Sequence, residues 1–361
     1  MQANTDSSGS SHASSSRASN AGPMITTYSM WSLFRNCRQA CRLRYFEQLV
    51  PIEKAHTLSF GSLIHDCLEL WHGKRDLAVV LDHVDRALPD RARDERALAD
   101  WHLATAMMKG YTATYPDEEL EVVALEKEFE GKIVNPATGA ASRSFTLAGK
   151  VDEIVRLDGE HFLLEHKTAG QIDGGYIERL WTDFQIILYA WYVEQVFGIR
   201  VAGIVYNVLV KAKLKQGKGE TEAEFEKRRG ALIAKSKTGR SSAKRRMPES
   251  DEDFQTRLEA KYAEPGMFHR EVLYISRDQF ATLRAELWEL SQSLLDARRR
   301  DVWYQNTAFC FHWGRPCAYF PACRSGLNPN VIENLYERRA PHEELRTGAA
   351  TKEDTAPELA F

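Results

Sequence analysis

Residues 149–168 read GKVDEIVRLDGEHFLLEHKT. Asp158-Gly159 stands between two β-like runs, and a type I′ turn, which needs positive φ at both central residues, favours that dipeptide. The turn pairs Leu157 with Glu160, and the register it sets places Asp152 opposite Glu165. Directly opposed side chains have Cβ atoms about 4.5–5.5 Å apart. Two carboxylates that close repel and weaken the hairpin unless a proton or a cation lies between them. Lys167 follows Glu165 by two residues, so strand alternation puts both on one face. Two acids and an ammonium thus converge on a hairpin whose other residues (Val151, Ile154, Val155, Phe162, Leu163, Leu164) are apolar. Hard oxygen donors of this kind suit Mg²⁺ or Mn²⁺, which keep several waters and take one or two carboxylates plus a substrate phosphate. A lysine beside such an ion can orient or deprotonate a water attacking phosphorus. The competing reading is a surface hairpin whose Glu165–Lys167 pair is merely solvated.

Outward from the hairpin, helical spacing covers 29–49, ended by Pro51, and 60–72, with Ser62 as cap and Gly73 as stop. Helical patterns continue through 77–113, and strand-like runs occupy 120–129, 145–157 and 161–167. A helix over 183–197 closes at Gly198, strands follow at 201–210 and 269–276, and a long helix covers 278–299. This order predicts an α/β (α+β) architecture, a mixed central sheet flanked by helices. Residues 1–23 are Ser/Ala-rich and cannot bury enough surface to offset their ordering entropy, so a disordered tail is expected there. A folded unit over 24–326 divides into an N-terminal helical part (24–115), a core (116–210), a basic insertion (211–250) and a C-terminal helix with a Cys-rich segment (251–326). A partly disordered tail is expected over 327–361.

The chain has 361 residues, 43% of them hydrophobic, with 48 Lys+Arg against 51 Asp+Glu. That balance excludes a protein basic all over, though steering depends on where charge sits rather than on its sum. No run of 18 apolar residues exists, which excludes a membrane span. The N-terminus lacks a basic-then-apolar signal pattern, so a cytoplasmic compartment is expected, and six cysteines then read as reduced thiols or metal ligands. No G-x-x-x-x-G-K-[ST] loop is present, so the chain is not its own ATP-driven motor. The segment 211–246 carries thirteen basic residues, among them Lys211, Lys213, Lys215, Arg228, Arg229, Arg245 and Arg246, against four glutamates. It reads either as a solvated insertion or as a contact to a phosphate backbone.

G149-K-V-D152 followed by E165-H-K167-T resembles the core of the PD-(D/E)XK nuclease superfamily, in its RecB-like branch of phage and CRISPR-adaptation exonucleases. Gln185 and Tyr189, one turn apart on the next helix, match that branch's Q-x-x-x-Y motif. His65, in F60-G-S-L-I-H65, matches its upstream metal-ligating histidine, although Glu69 and His72 share that helical face and a private site on the helix is conceivable. Val151 stands where the superfamily's name has proline. The resemblance implies a Mg²⁺- or Mn²⁺-dependent deoxyribonuclease acting on DNA ends or single strands, in recombination, repair or phage DNA processing in a bacterial or phage-infected cell. A recombination or single-strand-binding protein is then a conceivable partner. It assigns the metal to Asp152, Glu165, His65 and the backbone carbonyl of His166. Lys167 would position the water, and Gln185 and Tyr189 would orient Lys167 or the scissile strand. Tyr176, Trp181 and Tyr192 are aromatics available for stacking, although each also suits a core.

Cys310, Cys317 and Cys323 are spaced C-x6-C-x5-C, too wide for the usual zinc knuckle and better suited to a cluster spanning loops. RecB-like nucleases with a 4Fe–4S cluster draw one cysteine from before the core and three from after it, so Cys37 resembles the first ligand, with Cys41 as the alternative. The x6 gap departs from the family's spacing. Cys67 reads as buried packing. Two rival readings remain: a catalytically silent DNA-binding module of the same fold, and a zinc-stabilised interaction protein.

Overall fold

A computed structural model describes residues 22–53, 56–116, 120–312, 314–342 and 345. Nearly all of the Ser/Ala-rich N-terminal tail, and the chain beyond 345, lie outside the described residues. In chain order β1 (Met24–Thr26) leads into α1 (Tyr28–Asn36), α2 (Arg38–Cys41), a π-helical turn over Arg42–Phe46 and β2 (Leu49–Pro51). Three helices follow, α3 (His56–Lys74), α4 (Leu77–Ala87) and α5 (Glu95–Thr114), then three long strands, β3 (Glu121–Val134), β4 (Ala141–Leu157) and β5 (Glu160–Ala169). Helices α6 (Gly174–Leu180) and α7 (Phe184–Phe197) lead to β6 (Val201–Val210). The insertion contributes α8 (Glu222–Lys235), and α9 (Asp251–Tyr262), β7 (Phe268–Tyr274) and α10 (Arg277–Arg300) complete the core. The C-terminal segment holds β8 (Phe311–His312), β9 (Arg315–Pro316), α11 (Phe320–Arg324), α12 (Pro329–Leu335) and β10 (Tyr336–Arg338).

Strand β4 organises the mixed sheet. Along one edge it pairs antiparallel with β3. Its other edge is shared: β1 runs parallel to Phe145–Leu147, and β5 pairs antiparallel from Leu157↔Glu160 to Glu153↔Leu164. Between those two partners, residues 148–152 border a gap where β5 has peeled away to pair with β6 alone. One face of the sheet is covered by α1, α7 and α10, in a core that includes Trp31, Tyr189, Tyr206 and Leu287. Helices α3, α5 and α9 build a second core with Ile64, Tyr111, Tyr262 and Leu209. This is the expected mixed α/β arrangement.

Asp158 (φ 52°) and Gly159 (φ 81°) both lie in the left-handed region, as the type I′ turn requires. The 183–197 helix is also as read, capped by the Asp183 carboxylate and closed by left-handed Gly198. Other boundaries differ. The 29–49 helix is interrupted at Cys37, whose extended backbone (φ −161°) ends α1, and residues 49–51 form a strand because β10 returns to pair with them. Helix α3 begins six residues before Ser62 and runs through Gly73 to a left-handed Arg75 (φ 51°). Gly73 has a packing role instead, since an added Cβ would come within 3.2 Å of Leu125. No described helix is long and apolar enough to cross a membrane.

Candidate active site

The site lies where β5 parts from β4. Continuing the observed register by one pair would set Asp152 against Glu165, but backbone pairing stops at Glu153↔Leu164. Asp152 bridges the opening with its side chain, Oδ2 accepting the backbone N–H of His166 at 2.9 Å. In a strand a residue's N–H and C=O leave on the same edge, so the His166 carbonyl faces the same gap. Helix α3 brings His65 Nδ1 to the same Asp152 Oδ2, at 3.3 Å. On β5, Lys167 Nζ donates to Glu165 Oε1 at 2.5 Å, and Gln185 Nε2, from the first turn of α7, donates to that oxygen at 3.3 Å. Among the described residues Asp152 Oδ1 and Glu165 Oε2 accept no hydrogen bond, so two carboxylate oxygens are left unengaged.

Burial alone would raise the Asp152 carboxyl, but hydrogen bonding to His65, the nearby His65 and His166 rings and the His166 N–H hold it well below the usual carboxylate range. Glu165 goes the other way. Burial and the Asp152 charge raise it, with Lys167 opposing. Burial would depress the Lys167 ammonium, yet the Glu165, Asp183 and Asp152 charges raise it above its ordinary value. His65 is likewise raised, because Asp152 and Glu165 outweigh its burial. Two adjacent acids with opposite shifts and an imidazole form a donor set of the kind that accepts a hard divalent cation, with the Lys167 ammonium beside it.

Tyr189 belongs to the packing around the site. Its ring meets Phe129 at 5.2 Å and Tyr28 at 6.3 Å, and it lies over Gly149. A Cβ at Gly149 would stand 2.6 Å from Phe129 and 3.1 Å from Tyr189, which accounts for glycine three residues before Asp152. Tyr192 is core as well, 2% exposed, with its hydroxyl donating to the Lys132 carbonyl at 3.1 Å, so it is no stacking platform. Tyr176 is half-buried and Trp181 is 50% exposed.

Behind the face that carries Asp152 and Glu165 lies a polar network that sequence reasoning missed. Glu153 and His166 alternate with Asp152 and Glu165, so they point to the opposite side. Glu153 Oε1 meets His166 Nε2 at 2.8 Å and Oε2 meets His72 Nδ1 at 2.7 Å. His72 Nε2 meets the Tyr111 hydroxyl at 3.1 Å, and Asn207 Nδ2 reaches both Tyr111 (3.0 Å) and His166 Nδ1 (2.9 Å). Arg270 donates to Tyr111 Oη at 3.0 Å. With Glu153 ionised, His166 carrying its proton on Nε2 and His72 on Nδ1, every donor named here has an acceptor; these tautomers are assigned from the hydrogen bonds. The ligand atoms of His72, Glu153 and His166 lie within 4.8 Å of one another, a spacing that could hold a metal ion. Their lone pairs and protons are already matched within the network, so its role is structural support. The signal was present in outline: His72 lies two turns after His65, and Glu153 and His166 are diagonal neighbours across the hairpin.

Cys37, buried between α1 and α2, packs with Cys317, Cys323, Tyr319 and Tyr336. Burial and the neighbouring Cys37, Cys317 and Cys310 sulfurs push the Cys323 thiol up to about 11, and burial with Cys37 and Cys310 nearby raises Cys317. Cys41 faces the other way, into the main core, with Sγ 3.9 Å from the Met30 carbonyl. Cys67 is fully buried packing. Among the described residues no three of the sulfurs lie within 4.8 Å of one another.

The basic insertion spends much of its charge internally. Arg228 grips Glu220 with two nitrogens, Arg246 approaches the same carboxylate, Arg245 pairs with Glu222 at 2.9 Å and Arg229 with Glu226 at 3.3 Å. Lys211 lies over the Phe60 ring, Lys213 reaches Gln171, and the Lys215 carbonyl accepts from Arg257. The exposed guanidiniums Arg35 and Arg179, unmarked in the sequence, instead line the cleft into which Lys167 opens.

The family model of the PD-(D/E)XK nuclease superfamily matches residues 26–324. No curated protein matches the chain. A solved structure described as "Crystal structure of SSO0001" is similar at 12% identity and a TM-score of 0.26, covering 68% of this chain and 78% of that one, a likeness too weak to carry an argument.

Proposed function

Because the chain belongs to the PD-(D/E)XK nuclease superfamily, we propose that it is a divalent-metal-dependent deoxyribonuclease, working as an exonuclease on DNA ends or single strands. The observation that carries this reading is the pair of unengaged oxygens, Asp152 Oδ1 and Glu165 Oε2, beside an imidazole and an ammonium, Lys167, that opens into a cleft. Asp152, Glu165, His65 and the His166 carbonyl would hold Mg²⁺ or Mn²⁺. Such an ion, when bound, acidifies a water and neutralises charge on the phosphoryl oxygens. Lys167 orients the attacking water and offsets the same developing charge. Gln185 holds the Glu165 carboxylate at a fixed angle to Lys167, and Tyr189 supports the strand that carries Asp152. Lys211, Lys213 and Lys215, at and just past the end of β6, would meet the phosphate backbone, whereas Arg228, Arg229, Arg245 and Arg246 are engaged by Glu220, Glu222 and Glu226. The test is cleavage of end-labelled single- and double-stranded DNA with Mg²⁺ or Mn²⁺. Metal-dependent shortening from one end is expected; an intact, folded protein that cuts neither substrate with either ion overturns the proposal and leaves a DNA-binding module.

Cys37, Cys310, Cys317 and Cys323 would hold a 4Fe–4S cluster. Cys37 packing beside Cys317 and Cys323, while Cys41 lies in the main core, supports Cys37 over Cys41. The cluster would add to a clasp built without it: β2 pairs with β10, the Tyr319 hydroxyl donates to the Leu49 carbonyl at 2.9 Å, and Asn306 donates to Asn36 at 2.8 Å. Anaerobically purified protein is expected to be brown, to contain about four irons per chain, and to lose them in Cys37→Ser but not in Cys41→Ser. Colourless protein containing zinc, or iron lost only with Cys41→Ser, counts against the assignment.

A further inference from the structure

The cleft beside Lys167 has a volume of about 480 Å³, well beyond one ion and its waters at about 30 Å³ each. Its walls bring together Arg35 from α1, Tyr176 and Arg179 from α6, and Phe184 at the start of α7. The Arg35 guanidinium lies over the Phe184 ring, 4.8 Å from its centroid, and Arg179 lies 5.7 Å from the centroid of Tyr176. Arg35 is exposed and makes no ion pair among the described residues. The carboxylate at the cleft floor, Asp183, is already engaged: Oδ1 accepts the Gln185 N–H at 3.0 Å and Oδ2 the Tyr206 hydroxyl at 3.4 Å. Past Phe184 the surface turns acidic at Asp278 and Glu286, which confines an anion to the Lys167 side. Guanidiniums braced on rings provide what a flexible phosphodiester chain needs, a preorganised cation and a flat surface for a base.

We propose that this cleft seats an unpaired polynucleotide strand beside the scissile phosphate, with Arg35 on the flanking phosphate and the Tyr176–Arg179 stack against its base. The placement relative to the scissile bond rests on the nuclease reading, but the strand site itself is measurable without cleavage. A duplex is a poor occupant because its base faces are already stacked.

The test is fluorescence anisotropy of the full chain with labelled dT15, U15 and a 15-base-pair DNA duplex, in Ca²⁺ so that binding is followed apart from cutting. Wild type is expected to bind dT15 about 10-fold or more tightly than duplex. Arg35→Ala should weaken strand binding about 10-fold and lower the slope of log K against log salt by about 0.7, the contribution of one phosphate on a single strand. Tyr176→Ala should weaken it by a similar factor, as loss of one stack does, and leave the slope unchanged. Tyr274→Ala, exposed on β7 and outside the cleft, should change neither. Equal affinity for dT15 and U15 assigns recognition to the phosphodiester strand; a preference for one assigns it to the sugar as well. Unchanged affinity and slope in both Arg35→Ala and Tyr176→Ala, or tighter binding of duplex, overturns the proposal. Metal-dependent cutting without Arg35 dependence removes the cleft assignment alone, whereas Arg35-dependent strand binding without any cutting removes the nuclease reading alone.

Discussion

Lys167→Ala is expected to reduce DNA cleavage by about 10³-fold or more while leaving Mn²⁺ affinity unchanged or tighter. The rate follows from losing both the group that positions the attacking water and a fixed positive charge at the phosphoryl oxygens, each worth roughly 10²-fold or more. The affinity follows from the geometry. Lys167 Nζ is 2.5 Å from Glu165 Oε1, so an arriving cation meets a carboxylate already partly neutralised. Removing the ammonium leaves Glu165 beside Asp152 with no shared cation, a pair that a divalent ion relieves. Asp152→Asn should lose both properties, since it removes the ligand charge and leaves one oxygen where the carboxylate offers Oδ1 to the ion and Oδ2 to His65 and the His166 N–H. Calorimetric Mn²⁺ titration beside the cleavage assay separates the two variants. A Lys167→Ala protein that cuts at a tenth of the wild-type rate, or that loses Mn²⁺, contradicts the role given to the lysine.

Glu153→Ala is expected to cost about 3–5 kcal/mol of stability, the range for breaking a buried charged network on one side. Glu153 is 1% exposed and is the acceptor for both His166 and His72, so truncation leaves two buried N–H donors facing a cavity. A fall of roughly 10 °C in Tm is the corresponding readout. Glu153→Gln keeps the shape but turns one acceptor into a donor, and should cost less. Burial favours the neutral acid, yet the His166 and His72 hydrogen bonds hold the Glu153 carboxyl below its ordinary value. A lowered pKa contributes stability above the unfolded value, about 4.3, that is lost as pH falls through the folded value. The gap between wild type and Glu153→Gln should therefore be full at neutral pH and narrow below about pH 4. Urea unfolding at a series of pH values measures it. A Glu153→Ala variant as stable as wild type would mean that the network is dispensable.

What the chain determines by itself is what neighbouring residues impose on one another. Asp158-Gly159 selects a turn type, the turn sets the register, and alternation then puts Asp152, Glu165 and Lys167 on one face, because each step involves residues close in sequence. The α7 helix was legible for the same reason: an Asp183 cap and a Gly198 stop frame an apolar run, and spacing sets Gln185 one turn from Tyr189. Membership of the superfamily was legible because its motifs recur in order along the chain. Tertiary structure alone decided how these pieces meet. Only the packed sheet decides where β5 leaves β4 while staying paired with β6, and that departure makes Asp152 a bridge instead of a ladder partner. His72 finds Glu153 across 81 positions, and Cys37, not Cys41, turns toward sulfurs nearly 300 residues away. The basic run looked like a uniform positive strip, but Glu220 folds back onto Arg228 and Arg246, and the guanidiniums at the cleft come from α1 and α6. Pattern shows which residues share a face; only the packed chain shows what that face meets, because burial, charge pairing and hydrogen-bond satisfaction are properties of neighbours in space.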